Sequence, residues 1–217
     1  MNKSVKQRVS TLLRQSHYDE LVRLCGEDRR FWNTLRLYTY DSDESLRWPA
    51  IESVAVLMEK WWQEGRRERV LEYVRNLLWL LNDESGGTGW SAPEIIAETA
   101  LRIPELLEPY GRIMIGYSLE KGPLLNSGLW AIGRLGKRAK EIVKPFQDKV
   151  LAAFDGEHPE TLALAAWAMG EASFAPALAR LAELRSRTEL VRVCVNGRFQ
   201  EKTLGRWAEE AVAKIGR

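Results

Sequence analysis

A short segment that recurs at a constant distance limits the fold more than any other feature of the chain. "LWAIG" at 129–133 and "AWAMG" at 166–170 align with an offset of 37 residues, which brings Trp, Ala, a long apolar residue and Gly into register. Apolar residues also recur at helical spacing through most of the chain. A repeat period near forty residues is typical of stacked helix pairs. The sequence therefore predicts an all-α chain that repeats one antiparallel helix pair.

Gly, Pro and Asp residues mark the breaks between the helical segments. Reading between these breaks predicts twelve helices, or about six antiparallel pairs. They span approximately residues 3–15, 17–25, 28–40, 46–64, 66–82, 91–107, 109–120, 123–136, 139–154, 159–171, 173–185 and 204–216. We expect a single domain over residues 1–217, in which residues 1–27 form N-terminal capping helices.

One segment, "ELVRVCVNGRFQEKT" at 189–203, departs from the helical pattern. Its residues alternate with period two on both sides of Asn196-Gly197, and such a pair between alternating runs predicts a two-residue hairpin turn. We therefore expect a β-hairpin inserted near residues 190–203. Its register would place one apolar pair and one ion pair across the strands. The facing residues would be Val195 and Arg198, Cys194 and Phe199, and Arg192 and Glu201.

Three segments share features of one kind of helical repeat, an acidic turn followed by Arg and an Ala-rich helix, or the end of such a helix. They are "YDSDESLRWPAIESVAVL" at 40–57, "LWAIGRLG" and "AWAMGEAS". These segments resemble HEAT-like repeats of the phycobilisome-lyase type. The segment "NDESGGTGWSAPEIIAE" is also similar to a stretch of small bacterial HEAT-like proteins that have no assigned activity. The resemblance implies a right-handed α-solenoid of helix pairs, in which the second helices line the concave surface. It also implies a protein that works by binding.

A glycine-rich turn precedes the predicted helix at 91–107. Ser91 and Glu94 have the spacing of a capping box, and Pro93 suits the first turn of a helix. Glycines 86, 87 and 89 are explained by a turn that needs positive φ, with an anion-binding nest as the alternative. The capping box leaves three residues unexplained, and we expect them at the edge of the concave surface. These are Asp83, Glu84 and Trp90.

Alignment of the repeats places further polar and aromatic side chains in one column along the second helices. Aromatic and Arg side chains are common anchors of binding interfaces. The alternatives are that both tryptophans pack between neighbouring repeats and that Glu98 pairs with Arg102 four residues on. The predicted binding site comprises Asp83, Glu84, Trp90, Glu94, Glu98, Arg102, Asn126, Trp130, Arg134, Trp167 and Glu171. Trp61, Trp62 and Trp79 lie among aliphatic residues at helical spacing, so we expect them in the core.

The net charge of +2 is unevenly distributed, because residues 81–130 are acidic and both ends are basic. This distribution favours a protein partner, and nucleic acid would have to bind at the ends. No apolar run approaches the ~20 residues of a membrane span. Cys25 and Cys194 lie in no metal or disulfide motif, so we expect no metal or cofactor and a reducing, cytoplasmic location.

The sequence contains no arrangement typical of an activated nucleophile. We therefore interpret the chain as a non-catalytic scaffold that binds a protein partner through the concave surface and the edge formed by the turns within the repeats. One alternative is a HEAT-like DNA-binding protein or DNA glycosylase-like enzyme that uses Trp and carboxylate side chains. The other is a HEAT-like bilin lyase in which tryptophans hold a tetrapyrrole.

Overall fold

The computed structural model describes residues 3–82, 91–120 and 122–216. Within these ranges the chain forms thirteen α-helices and one two-stranded sheet, as well as short 3-10 and π turns. The helices are α1 (Lys3–Arg14), α2 (Tyr18–Glu27), α3 (Arg29–Tyr38), α4 (Glu44–Gln63), α5 (Arg67–Asn82), α6 (Ala92–Arg102), α7 (Arg112–Glu120), α8 (Leu125–Leu135), α9 (Lys140–Val143), α10 (Gln147–Ala152), α11 (Pro159–Glu171), α12 (Leu178–Glu183) and α13 (Leu204–Ile215). The strands are β1 (Leu190–Val195) and β2 (Arg198–Thr203).

Five helices pack side by side in chain order, and we call them the inner layer: α4, α6, α8, α11 and α13. The helices between them in sequence form a second layer. Helix α5 contacts α4 and α6, α7 contacts α6 and α8, and α12 contacts α13. At the N-terminal end, α1, α2 and α3 pack against one another and against α4. The predicted succession of antiparallel helix pairs is confirmed.

The recurring glycines of "LWAIG" and "AWAMG" have a packing cause. A Cβ on Gly133 would lie 2.5 Å from the ring of Trp167, and a Cβ on Gly170 would lie 2.6 Å from the Cα of Ala211. Each glycine therefore lies where the next inner-layer helix approaches most closely. Real Cβ atoms do not tolerate such distances, so the repeat needs glycine at this position.

Replacing Gly170 by alanine should lower the free energy of unfolding by about 1–3 kcal/mol, because the added methyl group would press against the backbone of α13. Gly26 in α2 is the matched control. A Cβ there meets nothing within 4 Å, so Gly26→Ala should raise stability by roughly 0.5–1 kcal/mol through the helix preference of alanine. Urea unfolding followed by circular dichroism measures both. Equal effects of the two changes would contradict the close-approach explanation.

Three predicted helices are shorter or divided, and a proline accounts for each difference. The predicted helix 91–107 ends at Arg102, because Pro104 favours an extended conformation at the preceding residue, Ile103. Leu107–Gly111 then forms a π turn before α7. Pro145 likewise lies in the turn that separates α9 from α10, and Pro176 lies in the turn before α12. The prolines have no N–H to continue the helical hydrogen bonds.

The predicted hairpin is confirmed, together with its register. Cys194 faces Phe199, Val195 faces Arg198 and Arg192 faces Glu201 across an antiparallel pair. Asn196 and Gly197 have φ of 52° and 72°, as a two-residue turn of this kind requires. The predicted ion pair between Arg192 and Glu201 is wrong. Arg192 instead forms an ion pair with Glu44 of α4 and stacks on the ring of Phe199, 4.2 Å from its centroid.

The prediction for the core tryptophans is correct for Trp61, which is buried, and for Trp62, which packs partly buried against the core. It is wrong for Trp79, which is 66% exposed. The buried face of α5 carries Leu77 and Leu81, and a residue two positions from Leu77 points to the opposite side of a helix. None of the helices in the described ranges combines the length and apolar character that a membrane crossing requires.

Candidate functional site

The β-hairpin lies against the inner layer instead of projecting from an edge of the repeats. Nε1 of Trp130 in α8 donates a hydrogen bond to the carbonyl oxygen of Cys194 at 2.7 Å. A guanidinium nitrogen of Arg134 donates to Oδ1 of Asn196 at the hairpin turn, at 3.1 Å. Strand β1 also contacts α11, where burial of Val193 and its neighbours draws the hairpin onto the helices. The hairpin, which lies between α12 and α13 in the chain, therefore covers part of the inner layer.

Trp130 and Trp167 lie together, as the repeat alignment predicted, but neither ring is free to contact a partner over its face. They are 4% and 5% exposed, and their centroids are 6.3 Å apart. Trp48 of α4 adds a third ring, 4.7 Å from Trp130. Between the two alternatives that the sequence left open, the structure selects packing between neighbouring repeats.

Glu98 and Arg102 do not pair with each other, so the predicted pair four residues apart is wrong. Glu98 accepts two hydrogen bonds from Arg134 of α8, at 2.5 and 3.1 Å. Arg102 reaches across to α4, where it lies 3.1 Å from Glu59 and 3.8 Å from Glu52. Glu98 pairs with Arg134 and not with Arg102 because Arg134 makes two hydrogen bonds to the nearly buried carboxylate. Such a contact is stronger than an exposed ion pair along one helix.

The remaining residues of the predicted column also link neighbouring inner-layer helices. Oδ1 of Asn126 accepts a hydrogen bond from the hydroxyl of Thr161 at 2.8 Å. Glu171 accepts one from Nε1 of Trp167 at 3.0 Å and forms an ion pair with Lys214 of α13. The column is therefore a continuous set of contacts from α6 to α13.

The predicted capping box does not form. Ser91 precedes α6, but its side chain makes no capping hydrogen bond, and Pro93 occupies the first helical turn as expected. The hydroxyl of Ser91 and Oε2 of Glu94 are buried, and neither has a hydrogen-bond partner among the described residues. Asp83, Glu84 and Trp90, like the three glycines of the turn, lie outside the described residues.

A cavity of about 250 Å³ opens between the hairpin and the inner layer, and we call it the hairpin pocket. Glu94, Asn126 and Trp130 come from the predicted site, while the other residues were missed. Trp48 was missed because only the structure aligns α4 with α8 closely enough to place the two rings together. The side chains that define the pocket are Glu44, Arg47, Trp48, Glu94, Asn126, Trp130, Glu160, Arg192 and Phe199.

Glu94 has the most perturbed carboxyl group of the pocket. Burial raises its pKa from the ordinary 4.5 to about 7, although a backbone N–H, the hydroxyl of Ser127 and the charge of Arg47 oppose the shift. Burial also raises the pKa of the nearby Cys194 thiol to about 12, so this thiol stays protonated and is a poor nucleophile. Among the described residues, no group of three or more His, Cys, Asp and Glu side chains is arranged to hold a metal ion.

We expect the contribution of Glu94 to stability to fall as the pH rises toward 7, because folded Glu94 keeps its proton where the unfolded chain releases it. The decline begins near the unfolded pKa of about 4.5 and ends above the folded pKa of about 7. Its full size is roughly 3 kcal/mol. Glu94→Gln removes this carboxyl, so the variant should lack the decline. Thermal unfolding between pH 4 and 8 measures it, and parallel curves for both proteins would contradict the expectation.

No protein-family model and no curated protein matches the chain. Solved structures do match it, and three of them are designed armadillo repeat proteins. One of these, in complex with the peptide (KR)4, has a TM-score of 0.60 and 17% identity over 98% of this chain and 92% of its own. A second has a TM-score of 0.54 and 15% identity, over 97% and 92%. The third, designed for modular peptide recognition, has 0.53 and 16%, over 98% of both chains.

The chain is a helical-repeat α-solenoid. Its likeness to the designed proteins covers almost the whole of each chain, and its described residues also include a two-stranded antiparallel hairpin near the C-terminus. At identities this low the likeness concerns the fold alone.

Proposed function

We propose that the protein is a binding scaffold that recognises a segment of a protein partner at the hairpin pocket. The observation that carries this proposal is the pocket itself, which opens on the inner layer beside the hairpin. Its walls combine the aromatic rings of Trp48, Trp130 and Phe199 with a few polar side chains, a composition common in ligand sites. A volume of about 250 Å³ admits one large side chain, so the remainder of the segment would lie across the neighbouring surface.

The comparisons support a peptide as the ligand. A designed protein of the same architecture is in complex with the peptide (KR)4, and another was designed for modular peptide recognition. We also propose that the chain is one domain related to HEAT-like repeat proteins and that it works in the cytoplasm. Asp83, Glu84 and Trp90 remain sequence predictions for the rim of the binding surface.

Selection from a displayed library of random peptides tests the proposal. The protein should enrich a peptide, and Phe199→Ala should weaken its binding at least ~10-fold, as expected for an aromatic anchor. Trp79→Ala is the matched control, because it removes another exposed ring, on α5, and should leave the affinity unchanged. Fluorescence anisotropy with a labelled peptide gives the affinities. Enrichment of no peptide, or a loss only with Trp79→Ala, would contradict a binding site at the hairpin pocket.

The two alternative functions have direct tests of their own. A DNA-binding or glycosylase-like protein should bind duplex DNA at low salt, with an affinity that falls steeply as salt is added. A bilin lyase-like protein should change the absorption spectrum of an added tetrapyrrole. The buried rings of Trp130 and Trp167 offer little surface for stacking on a base or a tetrapyrrole, so we rank both below peptide binding.

A further inference from the structure

The hairpin pocket contains a carboxyl group that has one oxygen unpaired among the described residues. Glu94 is 3% exposed and lines the pocket, and its Oε2 has no hydrogen-bond partner among the described residues. A buried carboxyl oxygen without a partner is energetically unfavourable, and native proteins retain few of them. A hydrogen-bond donor supplied by a ligand would remove this cost.

The two cations of the pocket are already engaged. Arg47 lies 3.5 Å from Glu44 and stacks on Trp48, with 4.8 Å to the ring centroid. Arg192 pairs with the same Glu44 and stacks on Phe199. Neither guanidinium donates a hydrogen bond to Oε2 of Glu94. The contacts of both guanidinium groups with Trp48 and Phe199 show that these rings pack against cationic groups.

The charges around the pocket balance without Glu94. The charged and titratable side chains that line the pocket besides Glu94 come from α4, α11 and the hairpin, and they are Glu44, Arg47, Glu160, Arg192 and Cys194. Tyr40, in the segment after α3, lies close enough for the charge of Glu94 to raise the pKa of its phenol. Two cations and two carboxylates cancel, while the thiol and the phenol are neutral at pH 7. A cationic ligand would restore this balance if Glu94 became ionised.

We propose that the hairpin pocket recognises a cationic side chain, an Arg guanidinium or a Lys ammonium, whose charged end bonds to Oε2 of Glu94. This inference rests on the proposed function, since the basic residue belongs to the bound segment. The aliphatic stem lies against the accessible parts of the Trp48 and Phe199 rings, which exclude water and strengthen the ion pair. When the cation binds, the O–H bond of protonated Glu94 breaks and the proton passes to the solvent.

A second buried group supports a peptide as the source of the cation. Nε1 of Trp48 is buried and has no hydrogen-bond partner among the described residues. This N–H requires an acceptor, which a basic side chain does not provide but a peptide carbonyl does. A bound basic peptide would therefore supply both a cation for Glu94 and a carbonyl acceptor for Trp48.

Isothermal titration with blocked pentapeptides tests the proposal. The probes are acetylated and amidated Gly-Gly-X-Gly-Gly, in which X is Arg, Lys or Gln. We expect the Arg and Lys peptides to bind at least ~10-fold more tightly than the Gln peptide, as for a charge-assisted bond to a desolvated carboxylate. Their affinity should rise by about tenfold from pH 6 to pH 8, since the bound form requires ionised Glu94. Titration in two buffers of different ionisation enthalpy should show proton release.

Glu94→Gln should remove both the preference for the basic peptides and its pH dependence. Glu105→Gln, an exposed change outside the pocket, is the matched control and should alter neither. Glu160→Gln, an exposed change at the rim of the pocket, is a second variant that does not disturb the buried site, and it should weaken binding about twofold. Circular dichroism verifies that each variant is folded. Equal binding of the Arg and Gln peptides, no binding of any pentapeptide or of free arginine and agmatine, or an unchanged pH profile in Glu94→Gln would overturn the inference.

Free arginine and agmatine separate this inference from the proposed function. If they bind through Glu94 while neither the pentapeptides nor the library peptides bind, the pocket takes a small cation, and only the function as a peptide-binding scaffold fails. If library peptides bind at the pocket without preference for basic residues, the scaffold function stands and the recognition of a cation fails.

Discussion

Replacing Trp130 by alanine should lower the free energy of unfolding by about 3–5 kcal/mol, as for other large aromatic residues removed from a core. The ring lies between Trp48 and Trp167, so its loss would leave a cavity where α4, α8 and α11 meet. The change also removes the hydrogen bond to the carbonyl oxygen of Cys194, which holds β1 on the inner layer. Urea unfolding measures the loss. Hydrogen exchange should show that the substitution speeds amide exchange in the hairpin more than it does in α2.

Two further variants separate the contributions of Trp130. Trp130→Phe keeps most of the ring contacts but removes the N–H, so it should cost only about 1–3 kcal/mol, the penalty for leaving the buried carbonyl unpaired. Trp79→Ala removes an exposed ring and should change stability by less than ~0.5 kcal/mol. If Trp130→Ala and Trp79→Ala have similar effects, the three-ring cluster does not stabilise the inner layer.

Replacing Arg134 by methionine should destabilise the protein by about 3 kcal/mol, because it leaves Glu98 buried without a counter-charge. This value lies at the lower end of the range for buried pairs, since a quarter of the Arg134 side chain is exposed. The change also removes the hydrogen bond to Asn196 at the hairpin turn. Thermal and urea unfolding at pH 7 measure the loss.

A double-mutant cycle with Glu98→Gln identifies the cause of this loss. The double variant should recover much of the stability that Arg134→Met removes, because a neutral amide requires no counter-charge. Arg23→Met is the matched control, since Arg23 pairs with Glu27 on the exposed surface of α2. It should cost no more than ~0.5 kcal/mol. Additive effects in the double variant would show that Glu98 and Arg134 do not stabilise each other.

The features predicted correctly from the sequence are those that neighbouring residues determine. The hairpin and its register follow from Asn196-Gly197, because both positions of a two-residue turn need positive φ. The helix pairs follow from apolar periodicity and from the recurrence of Trp and Gly at 37 residues. In both cases the relevant interactions act within one repeat or between adjacent repeats, so the local pattern contains them.

The pairing of Glu98 and the hairpin pocket, which the sequence did not predict, depend on contacts between residues far apart in the chain. Glu98 pairs with a residue 36 positions away, although a suitable partner lies one helical turn along its own helix. The hairpin pocket needs Trp48 and Arg192 to meet at α8, which no spacing in the sequence indicates. Trp79 has the apolar neighbours of a core residue, but its angular position on α5 places it in solvent.

The close helix contacts at Gly133 and Gly170 determine how the repeat array can be lengthened by duplication of one repeat. Gly133 receives Trp167 of the following inner-layer helix, and α11 carries both that ring and its own glycine at position 170. A tandem duplication of residues 134–170 would therefore place the glycine of the first copy against the tryptophan of the second. That junction has the same components as the one already present between α8 and α11. The protein can thus gain length by whole units without a new kind of junction, as expected for an architecture whose stability is summed over nearest neighbours.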